Sequence, residues 1–86
     1  KEQFNLKQSD KDILITSQLR TALILDKEIK ATNYQIDTYK NKIFIYGIAF
    51  TKDEKDKVVQ EAKEIPNVID VIASILLVDD LRIQKD

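Results

Sequence analysis

The chain has 86 residues, 43% apolar and 34% charged, which is enough for one hydrophobic core and too little to close a second. Its 14 basic and 15 acidic residues leave a formal charge of -1, which supplies no general attraction to nucleic acid or to an anionic membrane. With no Cys and no His it has no disulfide, no thiol chemistry, none of the common zinc ligands and no imidazole base, and its one Gly and one Pro argue against a linker or disordered tract.

Lys1–Gln8, with Phe4 and Leu6 at strand-like spacing, is read as an N-terminal arm packing across the domain edge in preference to a frayed end. Ser9-Asp10-Lys11-Asp12 has the chemistry of a helix start. The Ser9 hydroxyl can cap the first amides, Asp12 takes the third helical position, and both acids suit the positive end of the dipole. The spacing predicts a helix over Asp10–Leu25 with Ile15, Leu19, Ala22 and Leu23 as its apolar stripe, widened by Ile13 or Leu14 and by the last apolar residues. Asp26–Thr32 is a solvated charged connection, pinned to the core by Ile29.

Asn33–Tyr39 alternates as a strand, with Ile36 facing the core between Tyr34 and Thr38 and with Gln35 and Asp37 facing outward. Lys40-Asn41-Lys42 reads as a hairpin turn in which Asn41 takes the positive φ. Ile43–Phe50 is apolar throughout, the pattern of a central strand. Ile43, Ile45, Gly47 and Ala49 form its smaller face, placed under the helices, where Gly47 and Ala49 let a helix come close. Phe44, Tyr46, Ile48 and Phe50 then make an aromatic outer face.

Thr51-Lys52-Asp53-Glu54 matches the reciprocal capping box and starts a helix over Lys52–Glu64 that buries Val58, Ala62 and Ile65, with Val59 at the margin. Asp53/Lys57 and Lys57/Glu61 stand four apart as surface ion pairs. Pro66 ends this helix and Asn67 turns the chain. Val71–Val78 is apolar on both faces and is placed inside the sheet. Asp79–Asp86 is a polar C-terminal tail whose Asp79-Asp80 pair is a surface stop, since adjacent carboxylates do not build the cage of about six to eight oxygens that a hard cation takes. The expectation is an α/β (α+β) two-layer sandwich over residues 9–78, in the order helix-strand-strand-helix-strand, with two helices on one face of a three-stranded mixed sheet.

These features resemble the BON domain, the bacterial osmotic-stress and nodulation family. Asp12–Leu23 is similar to its opening helix, Asp26 to the acid that follows it, Ile36 to a position in its first strand, and Asn41–Gly47 to its turn followed by alternating aliphatics and a Gly. Ala62, Ile65, Val68, Val71 and Leu77 carry the likeness to the end of the last strand. Lys42 stands where the family has Gly after Asn, which places a side chain at an expected positive φ, and Asn67 replaces the Gly before the valine. The resemblance implies an exported bacterial protein, periplasmic or on the periplasmic face of the outer membrane, that binds phospholipid surfaces or envelope proteins rather than catalysing a reaction. Some relatives are lipoproteins with paired copies of the domain. The chain opens on Lys1 rather than Met and is read as a mature form or an excised fragment, so the lack of an export signal, lipid anchor or second copy within it says little about compartment.

The candidate interface joins Phe44, Tyr46, Ile48 and Phe50 with Ile72, Leu76 and Val78, provided the two strands align them. Its occupant is a membrane surface, an envelope protein, a second BON-like domain, another copy of the chain, or the chain's own arm through Phe4 and Leu6. Tyr39, Lys40 and Lys42 at the hairpin tip add the basic complement that binding to anionic phospholipid requires. Ser9, Asn41, Gly47, Thr51, Glu54, Pro66 and Asn67 are read as structural. No cofactor or metal is expected, and no enzyme: Ser9, Ser17 and Ser74 lack a His base, and Lys11, Asp12, Asp53 and Glu54 are explained as helix surface. RNA binding is the minor alternative, because Tyr34, Tyr39 and Tyr46 can stack bases, but the chain has no Gly-x-x-Gly clamp and its basic residues alternate with acids.

Overall fold

A computed structural model describes residues 7–78. Helix α1 (Gln8–Leu25) leads through a 3₁₀ turn at Ala31–Asn33 into β1 (Tyr34–Tyr39) and β2 (Lys42–Ala49), followed by α2 (Lys52–Lys63) and β3 (Asp70–Leu77). The sheet order is β1-β2-β3, with β1 antiparallel and β3 parallel to β2, so the sheet is mixed as expected. The most apolar stretch of the sequence forms the central strand, as its composition demanded. Ile43, Ile45 and Ala49 of β2 meet Ile15, Leu19 and Leu23 of α1 and Val58 and Ala62 of α2 in one core, which Ile29, Tyr34, Ile36 and Ile75 complete. Each fully buried Leu, Ile or Val contributes about 1.5–3 kcal/mol relative to exposure.

Several sequence expectations give way. Helix α1 begins at Gln8, so the residue that the arm reading placed last is helical and Ser9 lies inside the first turn; Lys7 flanks the helix without a side-chain cap. Phe4, Leu6 and the tail after Val78 lie outside the described residues. Ile13, Leu14, Ile24 and Leu25 do not widen the buried stripe but stand exposed, because Asp12, Ile15, Leu19 and Leu23 already fill the face that a narrow sheet can cover. Among the described residues strand β3 is an edge strand, not an interior one, since the crossover through α2 places it beside β2 and no further described strand pairs with it.

The hairpin turn has two residues, Lys40 and Asn41, with φ of 51° and 67°, the paired positive values that match strand twist in a tight hairpin. Lys42 is already in β2, opposite Tyr39, so the backbone strain expected at Lys42 sits at Lys40. Asn67, with φ of 71°, takes the role that a Gly fills in the family pattern. Gly47 is needed for a different neighbour than the helix foreseen: a Cβ there would lie 2.4 Å from the Asn33 carbonyl oxygen and 2.6 Å from Tyr34 Cδ1. The last residue of the 3₁₀ turn and the first of β1, rather than α1 or α2, are what approach it.

Helix α2 ends at Lys63 and starts on Thr51, whose Oγ1 accepts from the Glu54 amide at 3.1 Å. The capping box is not reciprocal, because the Glu54 carboxylate turns into the domain instead. Lys57 pairs across the fold with Glu28 at 2.9 Å and Asp26 at 3.9 Å rather than with Asp53 or Glu61, and Lys52–Asp56 is the pair four residues apart that forms along α2. Glu28 first, then Asp26, hold the Lys57 ammonium above its ordinary pKa.

Candidate functional site

Side chains of a strand alternate, so β2 displays its even-numbered residues on the face away from the helices. The parallel register sets Phe44 beside Ile72, Tyr46 beside Ser74 and Ile48 beside Leu76, and thus brings the two expected halves of the surface together. Tyr46 is 50% exposed, Phe50 55% and Leu76 53%, with Ile48 and Ile72 slightly less and Phe44 half-buried. Val78 is half-buried just past the end of β3. On the other flank the antiparallel register puts Asp37 beside Phe44 and Gln35 beside Tyr46, so the face is apolar across β2 and β3 except at Ser74 and polar at Gln35 and Asp37 of β1.

Tyr39, Lys40 and Lys42 stand apart from this stripe, at the end of the sheet. Lys42 lies in register between Tyr39 and Asp70, and the Lys40 ammonium sits 5.4 Å from the Tyr39 ring centroid, where the ring's negative face attracts it. Two grooves flank the first half of α1 here. One, of about 600 Å³, includes Ile13, Tyr39 and Lys40, and the other, of about 480 Å³, includes Lys11, Leu14, Val68 and Ile69. Ile13, Leu14, Tyr39 and Ile69 are all exposed at this end.

Two buried carboxylates build the ends of the hairpin. Asp12 accepts from the Lys40 amide at 2.9 Å, the Asn41 amide at 3.0 Å and Gln8 Nε2 at 2.8 Å, and so supports the left-handed turn. Asn41 passes the connection on: its Nδ2 donates to the Asn67 carbonyl and its own carbonyl accepts from the Ile69 amide. Burial opposes ionisation of Asp12, but the Asn41 and Lys40 amides and Gln8 outweigh it and hold its pKa below the ordinary 3.8. Glu54 accepts from the Lys30 amide at 3.0 Å, the Tyr34 hydroxyl at 2.9 Å and the Phe50 amide at 3.0 Å. Burial first, then the Glu54 bond and charge, push the Tyr34 hydroxyl well above its ordinary pKa.

Both acids were expected on helix surfaces, and both are buried. A signal for them was present: Asp12 is in helical phase with Ile15, Leu19 and Leu23, and Glu54 with Val58 and Ala62. Their oxygens are taken up by donors at opposite ends of β1, so they do not form an acid–base pair. Among the described residues no group of three or more His, Cys, Asp or Glu can hold a metal ion, and no helix is long and apolar enough to cross a membrane.

Two helices on one face of a three-stranded mixed sheet, in the order helix-strand-strand-helix-strand, define a small α+β domain whose other sheet face is left open among the described residues. The sequence model of the BON domain matches residues 11–79, and the chain belongs to that family. A protein of Anaplasma centrale described as "Uncharacterized protein in gshII 5'region" is 29% identical over 77 residues, which are 90% of this chain and 51% of that protein. The chain therefore spans about half the length of this curated relative.

Proposed function

We propose that this domain is a non-catalytic binding module of the bacterial envelope, in the periplasm or on the periplasmic face of the outer membrane, and that it docks a protein partner on the outer face of its sheet. The observation that carries this reading is the register that lines up Phe44 with Ile72 and Ile48 with Leu76, leaving Tyr46 and Phe50 half exposed in one apolar stripe. Such a stripe, bordered by Gln35 and Asp37, has the apolar centre and polar rim of a docking surface. A second BON-like domain fits it as well as an envelope protein does, and the greater length of the Anaplasma relative leaves room for one.

Association with anionic phospholipid is the second reading, favoured by the hairpin end. Exposed Ile13, Leu14, Tyr39 and Ile69 can enter the headgroup boundary while Lys11, Lys40 and Lys42 meet its charge. An amide chemical-shift titration against anionic micelles, with neutral micelles as control and a dilution series beside it, separates the readings. Shifts confined to residues 11–14, 39–42 and 67–69 with anionic micelles alone select the lipid reading. Absence of any lipid response, with shifts at Phe44–Phe50 and Ile72–Leu76 on adding a partner domain, selects protein docking. A partner domain that binds without moving those amides sinks it.

A further inference from the structure

The two edges of the sheet are protected unequally. Strand β1 carries Gln35 and Asp37 on its outer face, and Thr38 is bonded through its hydroxyl to Thr16 of α1 at 2.7 Å. Among the described residues strand β3 lacks the charges, Pro and bulges that keep an edge from pairing. From Val71 to Leu77 it has no charge and no Pro, and its register with β2 runs unbroken over eight pairs from Lys42↔Asp70 to Ala49↔Leu77, with no bulge. Val71, Ala73 and Leu77, which point toward the helices, pack against the core but are only partly buried, so among the described residues α2 does not fully close the outer margin of this strand. Among the described residues nothing pairs with that margin.

We infer that two copies of this chain join through the free edges of β3, antiparallel about a twofold axis at Ser74, into one six-stranded sheet. A twofold axis perpendicular to the sheet keeps the helices of both copies on one side, and it requires that facing residues have the same parity in the alternation. Centring at Ser74 uses the whole strand. Ile72 then faces the second copy's Leu76, Ala73 faces its Ile75, and Val71 faces its Leu77, so every side chain between the ends meets an apolar or small neighbour. Asp70 falls opposite the second copy's Val78, and no like charges face each other. Beside Val71 lies a hollow of about 310 Å³ lined by Lys63, Val68, Ile69, Asp70 and Val71. In this register the second copy's Leu77 stands next to that hollow, and by symmetry the same holds in return. The pairing also joins the two outer stripes through Ile72 and Leu76, yet it uses the strand edge and is independent of docking on the face.

Because the chain has no Cys, Ser74→Cys tests the axis directly. Facing residues of antiparallel strands bring their Cα atoms to about 4.5–5.5 Å, within disulfide range. With oxidised glutathione as oxidant, Ser74→Cys is expected to give the disulfide-linked two-chain species as main product, while Ser17→Cys, on the exposed side of α1, gives little. Sedimentation velocity of the unaltered chain over a concentration series should show the two-chain mass. Ile72→Lys with Leu76→Lys sets like charges in register and should return the single-chain mass with a folded amide spectrum. Ile72→Lys with Leu76→Glu sets opposite charges in register and should keep the dimer. Tyr46→Lys, on the face, should leave it intact. A single-chain mass at every concentration, or linkage of Ser74→Cys no faster than of Ser17→Cys, overturns the proposal. So does loss of the dimer in both charge combinations, which marks face-to-face contact instead.

Discussion

Asp12 shows how one side chain secures a backbone conformation that its neighbours do not favour. Lys40 has no intrinsic preference for φ of 51°, but at that geometry its amide and that of Asn41 both reach the Asp12 carboxylate. Asp12→Asn replaces one acceptor oxygen by an amide group that cannot accept from those donors, and it is expected to lower the thermal midpoint and loosen the turn, read as faster amide exchange at Lys40 and Asn41. The folded pKa of Asp12 is depressed, so its contribution is present above the ordinary carboxylate value and is lost as pH falls through the lower folded one. The acid limb of the stability profile should therefore flatten in Asp12→Asn, measured by denaturant titration between neutral pH and pH of about 2. Glu54 plays the corresponding part at the other end of the hairpin. Glu54→Gln leaves at least one of its three donors poorly matched and should cost about 1–3 kcal/mol.

At the level of the elements, α1 has two apolar sides and one of them is used. Leu19 is fully buried while Ile24 is 63% exposed, although both lie in the same apolar-rich helix. Leu19→Ala is expected to destabilise by about 2–5 kcal/mol, and Ile24→Ala by less than about 0.5 kcal/mol, compared by equilibrium unfolding. Equal costs would mean that the exposed side of α1 is covered in solution. Helix α2 was easier to read, because Thr51, Val58, Ala62 and Pro66 each act locally and agree on one start, one face and one end. The start of α1 was not: Ser9 offers a plausible cap, yet Asp12 must reach the hairpin, and the helix extends past Ser9 to Gln8.

For the whole molecule, the expected consequence of a docking face is a separation of stability from association. Tyr46→Lys lies on the half-exposed outer stripe and should leave the unfolding midpoint within the range of surface substitutions, about 0.5 kcal/mol, while weakening partner association. Unfolding curves and a binding titration on the same preparation check both parts, and unchanged binding would remove this face from consideration.

The alternation of apolar residues in β1 and β2, the capping Thr and the turn-forming Asn41 and Asn67 were legible from residue order, because each depends on neighbours within a few positions. The paired stripe of Phe44 with Ile72 and Ile48 with Leu76 was legible as two halves, and their meeting needed the parallel register. The burial of Asp12 and Glu54, the close approach of β1 to Gly47 and the edge position of β3 were decided by contacts between segments far apart in the chain. Local pattern states which side chains want cover; which strand remains without it depends on the order in which the crossover sets the strands side by side.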